Sequence, residues 1–457
     1  MVIGIVFSLA LLCWLAYRGF SVIVFAPLCA ILAALTVGWP ILPTYTDLFM
    51  AKGVVFIKNF FPLFLLGALF GKVMEASGAA RSIAHAIAVK LGPDKAILAV
   101  TLAAGVLSYG GVSVFVVAFA VYPFAVHLYR ESNIPKRLIP GTLTLGMFTF
   151  AMTAFPGTPQ LQNIIPTRYF GTNTFAAPVL GITAGLIMLV LGTIWLEYRK
   201  RKAMAAGEGY GEGHKNEPEG GEQAYMNPVL ACMPLLVVLG LNLYLTNVIP
   251  TWEPPTQEIF KGVNLKGSAA IWALIIAIFC GVILAIILGF KNMKSVDNVS
   301  SVLSAGAIGS LLTIMNTATE VGYGSVVSSL PGFKSISEFL MSIDPGTPLI
   351  SEAITVNVLA GVTGSASGGM AIALEAMGAR YLEWANQIGL DPEVLHRIAS
   401  LASGGLDTMP HNGAVITVLA ICGLTHKESY ADICVCSLLI PVAVNFAVIP
   451  VYSLLTL

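Results

Sequence analysis

The chain has 457 residues, of which 56% are hydrophobic and 11% charged, with 24 Lys and Arg balanced by 24 Asp and Glu. A soluble domain carries about 25% charged residues, so composition excludes a soluble globular protein, and the zero net charge singles out no partner; no nucleic acid is expected. Six of the seven cysteines (Cys13, Cys29, Cys232, Cys280, Cys434 and Cys436) lie inside apolar runs, where a free thiol acts as a small hydrophobe, so neither a disulfide framework nor a metal site is expected.

In chain order, residues 2–17 form the first apolar run. MVIGIVFSLALLCWLAY has no basic start and no small-residue cleavage site before Arg18, so it reads as a retained helix. A run at 20–38 and a third span follow, then an amphipathic piece at 78–91. Two short apolar segments, 94–108 and 112–129, meet at SYGGVS, residues 108–113. Each is marginal for crossing a hydrocarbon core of about 30 Å, and the pair predicts a re-entrant hairpin over 94–129. An interrupted span over 136–170 and a long run at 175–196 complete residues 1–198. Residues 199–226, RKRKAMAAGEGYGEGHKNEPEGGEQAYM, are polar and Gly-rich and predict a flexible cytoplasmic linker. Residues 227–457 repeat the order: runs at 227–247 and 267–289, a third span, an amphipathic piece at 332–343, a hairpin over 348–386, a broken helix over 393–424 and a run at 431–455.

The halves also share residues. LFGKVMEASGAARSI (69–83) lies over GYGSVVSSLPGFKSI (322–336), with Gly71/Gly324, Val73/Val326, Ser82/Ser335 and Ile83/Ile336 identical. The same offset carries SYGGVS onto GVTGSA (361–366), and one residue more carries Pro156 onto Pro410. Such landmarks predict an internal repeat. If the hairpins do not cross, each half has five crossings, and an odd number inverts the second half relative to the first. With the N-terminus outside, fifteen Lys and Arg fall on inside segments and six outside, Arg397 among the six; cytoplasmic loops are the basic ones. The expectation is an all-α polytopic protein of a bacterial inner membrane. It is an inverted repeat of two five-helix halves, each with a re-entrant hairpin and a broken helix, with both termini outside.

Broken helices in matching positions of two halves mark a secondary transporter. A break exposes N–H groups whose partial positive charge holds an anion. In TAFPGTPQLQN (153–163), Thr158 before Pro159 reads as an N-cap with proline in the first turn, placing Gln160 and Asn163 on one side. In DTMPHNG (407–413), Pro410 suits a first turn, followed by His411 and Asn412. The hairpin tips add glycines for close backbone approach and hydroxyls that donate and accept. Candidate ligand contacts are Ser108, Tyr109, Gly110, Gly111 and Ser113 at the first tip and Pro156, Gly157, Thr158, Gln160 and Asn163 at the first break. The second half supplies Thr363, Gly364, Ser365 and Ser367 at its tip and Thr408, His411 and Asn412 at its break. The two tips are expected to meet the two breaks with pseudo-twofold symmetry.

Three groups are candidates for a coupling proton: His411, Asp407 and Glu320. His411 also reads as a structural histidine, Asp407 as a helix cap, and Glu320 as a solvated interfacial acid. Glu352 and Glu375 are expected near the mouth of the second hairpin, Lys72 and Glu75 as a pair on one helix face, and Arg168 as a snorkelling side chain. The absence of H-E-x-x-H, G-x-S-x-G and clustered His argues against an enzyme, and polar residues gathered at breaks argue against a continuous pore.

LFGKVMEASGAARSIA (69–84), the first hairpin and its continuation to ESNIP (131–135), and the tip Gly364-Ser365-Ala366-Ser367 resemble the gluconate permease (GntP) family of the ion-transporter superfamily, a resemblance that spans nearly the whole chain. It implies proton-coupled symport of gluconate and related hydroxy-acids. By fold analogy it also implies a homodimer with a fixed scaffold and an elevator-type mobile domain. The chain departs from gluconate-type members at both breaks, FPGTPQLQN (155–163) and DTMPHNG, so a compact monocarboxylate such as 3-hydroxybutyrate is expected to fit as well. The expected activity is import of a small organic anion with protons, without cofactor or metal. Sodium coupling through carbonyls and hydroxyls at the same breaks is the alternative.

Overall fold

Inside lipid every backbone N–H and C=O needs a partner within the chain, so apolar runs resolve into helices. The structure is a computed structural model and describes residues 2–18, 20–217, 225–260, 263–296, 299–344 and 346–456. Among them all regular structure is helical. Helices α1 (Val2–Tyr17), α2 (Val22–Leu35) and α3 (Ile41–Ala76) open the chain. After them come α4 (Ala79–Leu91), α5 (Ala96–Tyr109), α6 (Val114–Glu131), α7 (Ile139–Phe148), α8 (Leu161–Phe170) and α9 (Pro178–Ala205). The second half holds α10 (Pro228–Val248), α11 (Leu265–Val296), α12 (Val299–Ser329), α13 (Phe333–Met341), α14 (Leu349–Thr363) and α15 (Ala366–Ile388). It ends with α16 (Pro392–Ser403), α17 (Gly413–Cys422), α18 (His426–Cys434) and α19 (Ile440–Thr456), the last two joined through a π turn at Val435–Leu439.

Seven helices among the described residues are long and apolar enough to cross a bilayer, from Ile41–Ala76 to His426–Tyr452. The chain is a multi-pass membrane protein. Shorter apolar helices include Val22–Leu35, Leu349–Thr363 and Gly413–Cys422. Between α4 and α5 the axis turns by 105°. Gly92, at φ +72°, ends α4, and Pro93 cannot extend it.

Close helix crossings are made with small residues, as lipid-facing bundles require. Along α3 and α12, Gly53 faces Ala318 O, with room for only a 3.1 Å approach by a methyl group. Between α5 and α7, a methyl on Gly146 would fall 2.4 Å from Thr101 O. The halves interleave: α8 packs on α15, and α17 packs on α6. Each short second piece therefore leans on the other half's hairpin.

The polar stretch 199–226 differs from its expected flexibility. Helix α9 continues to Ala205, and residues 208–217 lie as a strap across the ends of α6, α7 and α17. Lys136, only 2% exposed, donates to Lys215 O and Glu217 Oε1, both at 2.7 Å. Arg130 pairs with the same carboxylate. Arg137 grips Glu208 through two bonds of 2.6 and 2.8 Å, and Asn216 Nδ2 reaches Ala420 O at 2.7 Å. Burial pushes the Glu217 carboxyl up, but the Lys136 ammonium and Tyr210 hydroxyl bonded to it leave it below the usual carboxylate range. The bonded Arg137 guanidinium holds Glu208 low as well. Gly-rich composition pointed to freedom; partners far away in sequence remove it. Residues 218–224 of that stretch lie outside the described residues.

Candidate functional site

Each hairpin turns on a glycine in the left-handed region, where a side chain is strained. Gly111 sits at φ +90° and Gly364 at φ +61°. Both are also points of close approach. A methyl on Gly111 would lie 2.6 Å from Pro159 Cγ, and one on Gly364 would lie 2.9 Å from His411 Cδ2. Each tip is thereby pressed onto the break of its own half.

The first break begins where Phe155 N–H closes a π turn onto Phe150 O at 2.9 Å and Pro156 offers no N–H. Irregular backbone at this depth needs side-chain partners. Tyr109 donates its hydroxyl to Pro156 O (2.8 Å), Thr158 to Tyr109 O (3.0 Å) and Gln160 Nε2 to Ser108 O (2.7 Å). Asn163 Nδ2 donates to Thr158 O (2.9 Å) and Thr174 O (2.8 Å). At the second break, Asn412 Oδ1 accepts from Ala414 and Val415 N–H, while its Nδ2 donates to Asp407 O and Gly364 O, both at 2.9 Å. Asn163 and Asn412 thus match: each amide reaches the carbonyl five residues earlier, and each stitches its break to a neighbouring loop.

Several expected roles are corrected. Thr158 does not cap a helix: α8 starts at Leu161 behind Gln160, and the Thr158 hydroxyl is tied to the tip. Pro159 therefore lies outside the first turn. Gln160 turns to the tip and Asn163 to residue 174, so they do not share one ligand-facing side. Pro410 precedes the first turn of α17, whose N-cap is Asn412. The Ser108 hydroxyl is fully buried and donates to Met147 O, and that of Thr408 to Ser437 O. Thr363 donates to Leu359 O, and Ser365 caps α15 through Gly368 N–H. With these bonds the groups build the tips and breaks. Gln160 and His411 are half-buried, as are Ser113 and Ser367, whose hydroxyls bond to no group among the described residues. Gly110 and Gly157 are buried at the first tip and break.

The breaks come together through α16. Ser400 donates its hydroxyl to Thr153 O at 2.7 Å, and a methyl on Gly404 would lie 2.5 Å from Thr153 Cγ2. No hydrogen bond joins the two tips among the described residues.

Two of the acids lie deeper than expected. Glu320 is not interfacial: it is 2% exposed on α12, its carboxylate lies against Gly368 just behind the second tip, and its Oε2 has no partner. Glu352 is fully buried instead of lying at a mouth, with neither oxygen partnered. Asp407 is 4% exposed, and its Oδ1 is unpartnered. Glu375 is held by Lys52 (3.2 Å), the Ser325 hydroxyl (3.0 Å) and the Tyr169 hydroxyl (3.2 Å), joining α15 to α3, α12 and α8. Lys72 and Glu75 pair at 2.9 Å.

Sequence reasoning missed His396 and Arg397 on α16. Arg397, counted among outside residues, is fully buried. Its guanidinium donates to Ala154 O, Thr174 O and Ala176 O. His396 is fully buried too, with Nε2 at 3.2 Å from Asn163 Oδ1 and Nδ1 at 2.6 Å from Thr172 Oγ1. The available signal was their place in a segment read as the first piece of a broken helix, where a charge lies at depth.

Helices long and apolar enough to cross a bilayer define an integral membrane protein, and the family match makes it a permease. The chain belongs to the GntP family of permeases: the model of that family, described as GntP family permease, matches residues 1–454. It is 47% identical to YxjC of Bacillus subtilis (strain 168), an uncharacterized transporter, over 98% of both chains. Among solved structures it is similar to MtrF of Neisseria gonorrhoeae, described as one of a class of antimetabolite efflux pumps. That likeness has a TM-score of 0.50 at 12% identity, over 86% of this chain and 82% of that one. It is also similar to the YdaH transporter of Alcanivorax borkumensis, with a TM-score of 0.49 at 15% identity over 86% and 85%. At such identity the MtrF likeness speaks for the fold alone.

Proposed function

We propose that this permease is a secondary active symporter that imports a small hydroxy-carboxylate, of the gluconate or 3-hydroxybutyrate kind, with protons. The observation that carries the reading is the pinning of each glycine tip onto its own break, since broken helices backed by hairpins are how transporters expose backbone dipoles to an ion. The ligand carboxylate rests on backbone N–H groups at the breaks, and its hydroxyls meet half-buried polar groups such as Ser113, Gln160, Ser367 and His411. The coupling proton is carried by His411 or Asp407, with Glu320 third; the unpartnered buried oxygens of the two acids favour proton residence there. The halves form an inverted repeat with ten crossings and both termini outside, in a bacterial inner membrane. The transporter works as a homodimer by an elevator motion.

Sodium coupling is the second reading. It is favoured by oxygens near the second break that lack donors, Asn357 Oδ1 beside Gly405 and Asp407 Oδ1.

The test is uptake of labelled D-gluconate and 3-hydroxybutyrate into proteoliposomes. An acid-outside gradient should drive saturable uptake, and His411→Ala should abolish that drive. Uptake that follows a sodium gradient and ignores pH transfers the assignment to sodium. No gradient-driven uptake of either compound refutes the substrate class.

A further inference from the structure

The first break is asymmetric to the second in one physical respect. At the second, Asn412 Oδ1 already occupies the N–H groups of Ala414 and Val415. At the first, the Gln160 side chain points to the tip, and no cap covers the start of α8. The N–H groups of Gln160, Leu161 and Gln162 have no acceptor among the described residues. Three of the carbonyls there, which would repel an anion, are turned to other donors. Ala154 O goes to Arg397, Pro156 O to Tyr109 and Thr158 O to Asn163.

Two side chains complete the picture. Arg397, fully buried, has no carboxylate within ion-pairing distance among the described residues. Glu393, one turn earlier, is turned to Ala177 N–H at 2.8 Å. A guanidinium at that depth, hydrogen-bonded only to carbonyls and with the Glu393 carboxylate acting on it from beyond ion-pairing range, still attracts an anion. Gln162, in the first turn of α8, is 8% exposed, and its Oε1 has no donor. A buried acceptor without a donor calls for a partner.

We propose that the substrate carboxylate is seated at the first break alone, with Arg397 as the positioning residue and fixed counter-charge behind it, and Gln162 Oε1 accepting the substrate's hydroxyl. This rests on the hydroxy-carboxylate reading above and narrows it. The planar fork matters as much as the charge, because it holds Ala154, Thr174 and Ala176 in one arrangement and a lysine cannot span them.

The test uses the full chain in proteoliposomes, with 3-hydroxybutyrate, butyrate and D-gluconate as probes. Arg397→Lys should raise half-saturation about tenfold or more, as loss of a charge-assisted contact does, with maximal rate within about twofold. Gly181→Ala should act in the same direction, since its methyl would fall 2.4 Å from Ala154 O and 3.0 Å from Arg397 Nε. Gln162→Leu should erase the preference for 3-hydroxybutyrate over butyrate, an effect that a merely structural residue would not have. If the wild-type protein transports none of the probes, the substrate reading fails. If it transports them and the folded variants keep wild-type half-saturation and hydroxyl preference, the first-break seat is overturned. If Arg397→Lys and Gly181→Ala do not fold, Gln162→Leu decides. Loss of folding in all three assigns these residues to stability and also overturns the proposal.

Discussion

Gly111 makes two demands on its side chain at once, a left-handed backbone and a 2.6 Å approach to Pro159. Gly111→Ala should cost about 1–2 kcal/mol for the backbone, with more for the contact, and thermal unfolding in detergent should show it as a lower midpoint. The two asparagines should differ. Asn163→Ala orphans the buried Thr158 carbonyl, at about 1–3 kcal/mol, while Thr174 O keeps the Gly157 N–H and Arg397 as donors. Asn412→Ala adds the loss of an N-cap, about 1 kcal/mol. An Asn163→Ala protein as stable as wild type would refute the stitching role. The glycines were legible in sequence, because a tight turn leaves few other choices. The asparagines were legible as polar residues in the right place, but not as stitches, since a side-chain amide can face a solute or its own backbone, and sequence does not say which. Arg397 was misread for a related reason: its partners are carbonyls, which leave no mark in side-chain identity.

At the level of elements, the strap 208–217 carries its own pH dependence. Glu208 and Glu217 have folded-state pKa values below their ordinary ones. Their contribution is therefore complete above the unfolded value of about 4.3 and is lost as pH falls through the lower folded values. Limited proteolysis within 208–217 should accelerate in acid below about pH 4 and stay slow at neutral pH. Glu217→Ala should accelerate it at neutral pH as well, because Lys136 and Arg130 lose their shared partner. Equal cleavage rates in wild type and variant would refute a docked strap. The helices on either side were legible from apolar length alone. The strap was not, because its order comes from Lys136, Asn133 and Ala420, which lie between 77 and 204 residues away along the chain.

Across the whole molecule, the order of elements in the first half recurs in the second. The helix ends at Gly92, Gly364 and Gly423 were readable because glycine punctuates the sequence there. The interleaving of α8 with α15 and of α17 with α6 was not, because nothing local marks which apolar face meets which. It can be tested directly. A methyl on Gly378 would lie 3.6 Å from Tyr169 Cβ, within the span a disulfide bridges. The pair Tyr169→Cys and Gly378→Cys should therefore cross-link under mild oxidation. Retained uptake after cross-linking would fit α8 and α15 moving as one body, and its loss would place motion between them.

The interleaving also has a consequence for how the protein is made. A ribosome that has delivered residues 1–205 has produced α6 and α8 with the surfaces meant for α17 and α15 still bare. Those surfaces must wait in the lipid, or against an insertion factor, until more than 160 further residues arrive at α15. Neither fragment of a chain cut within 218–224 should accumulate alone, and co-expression of the two should restore both.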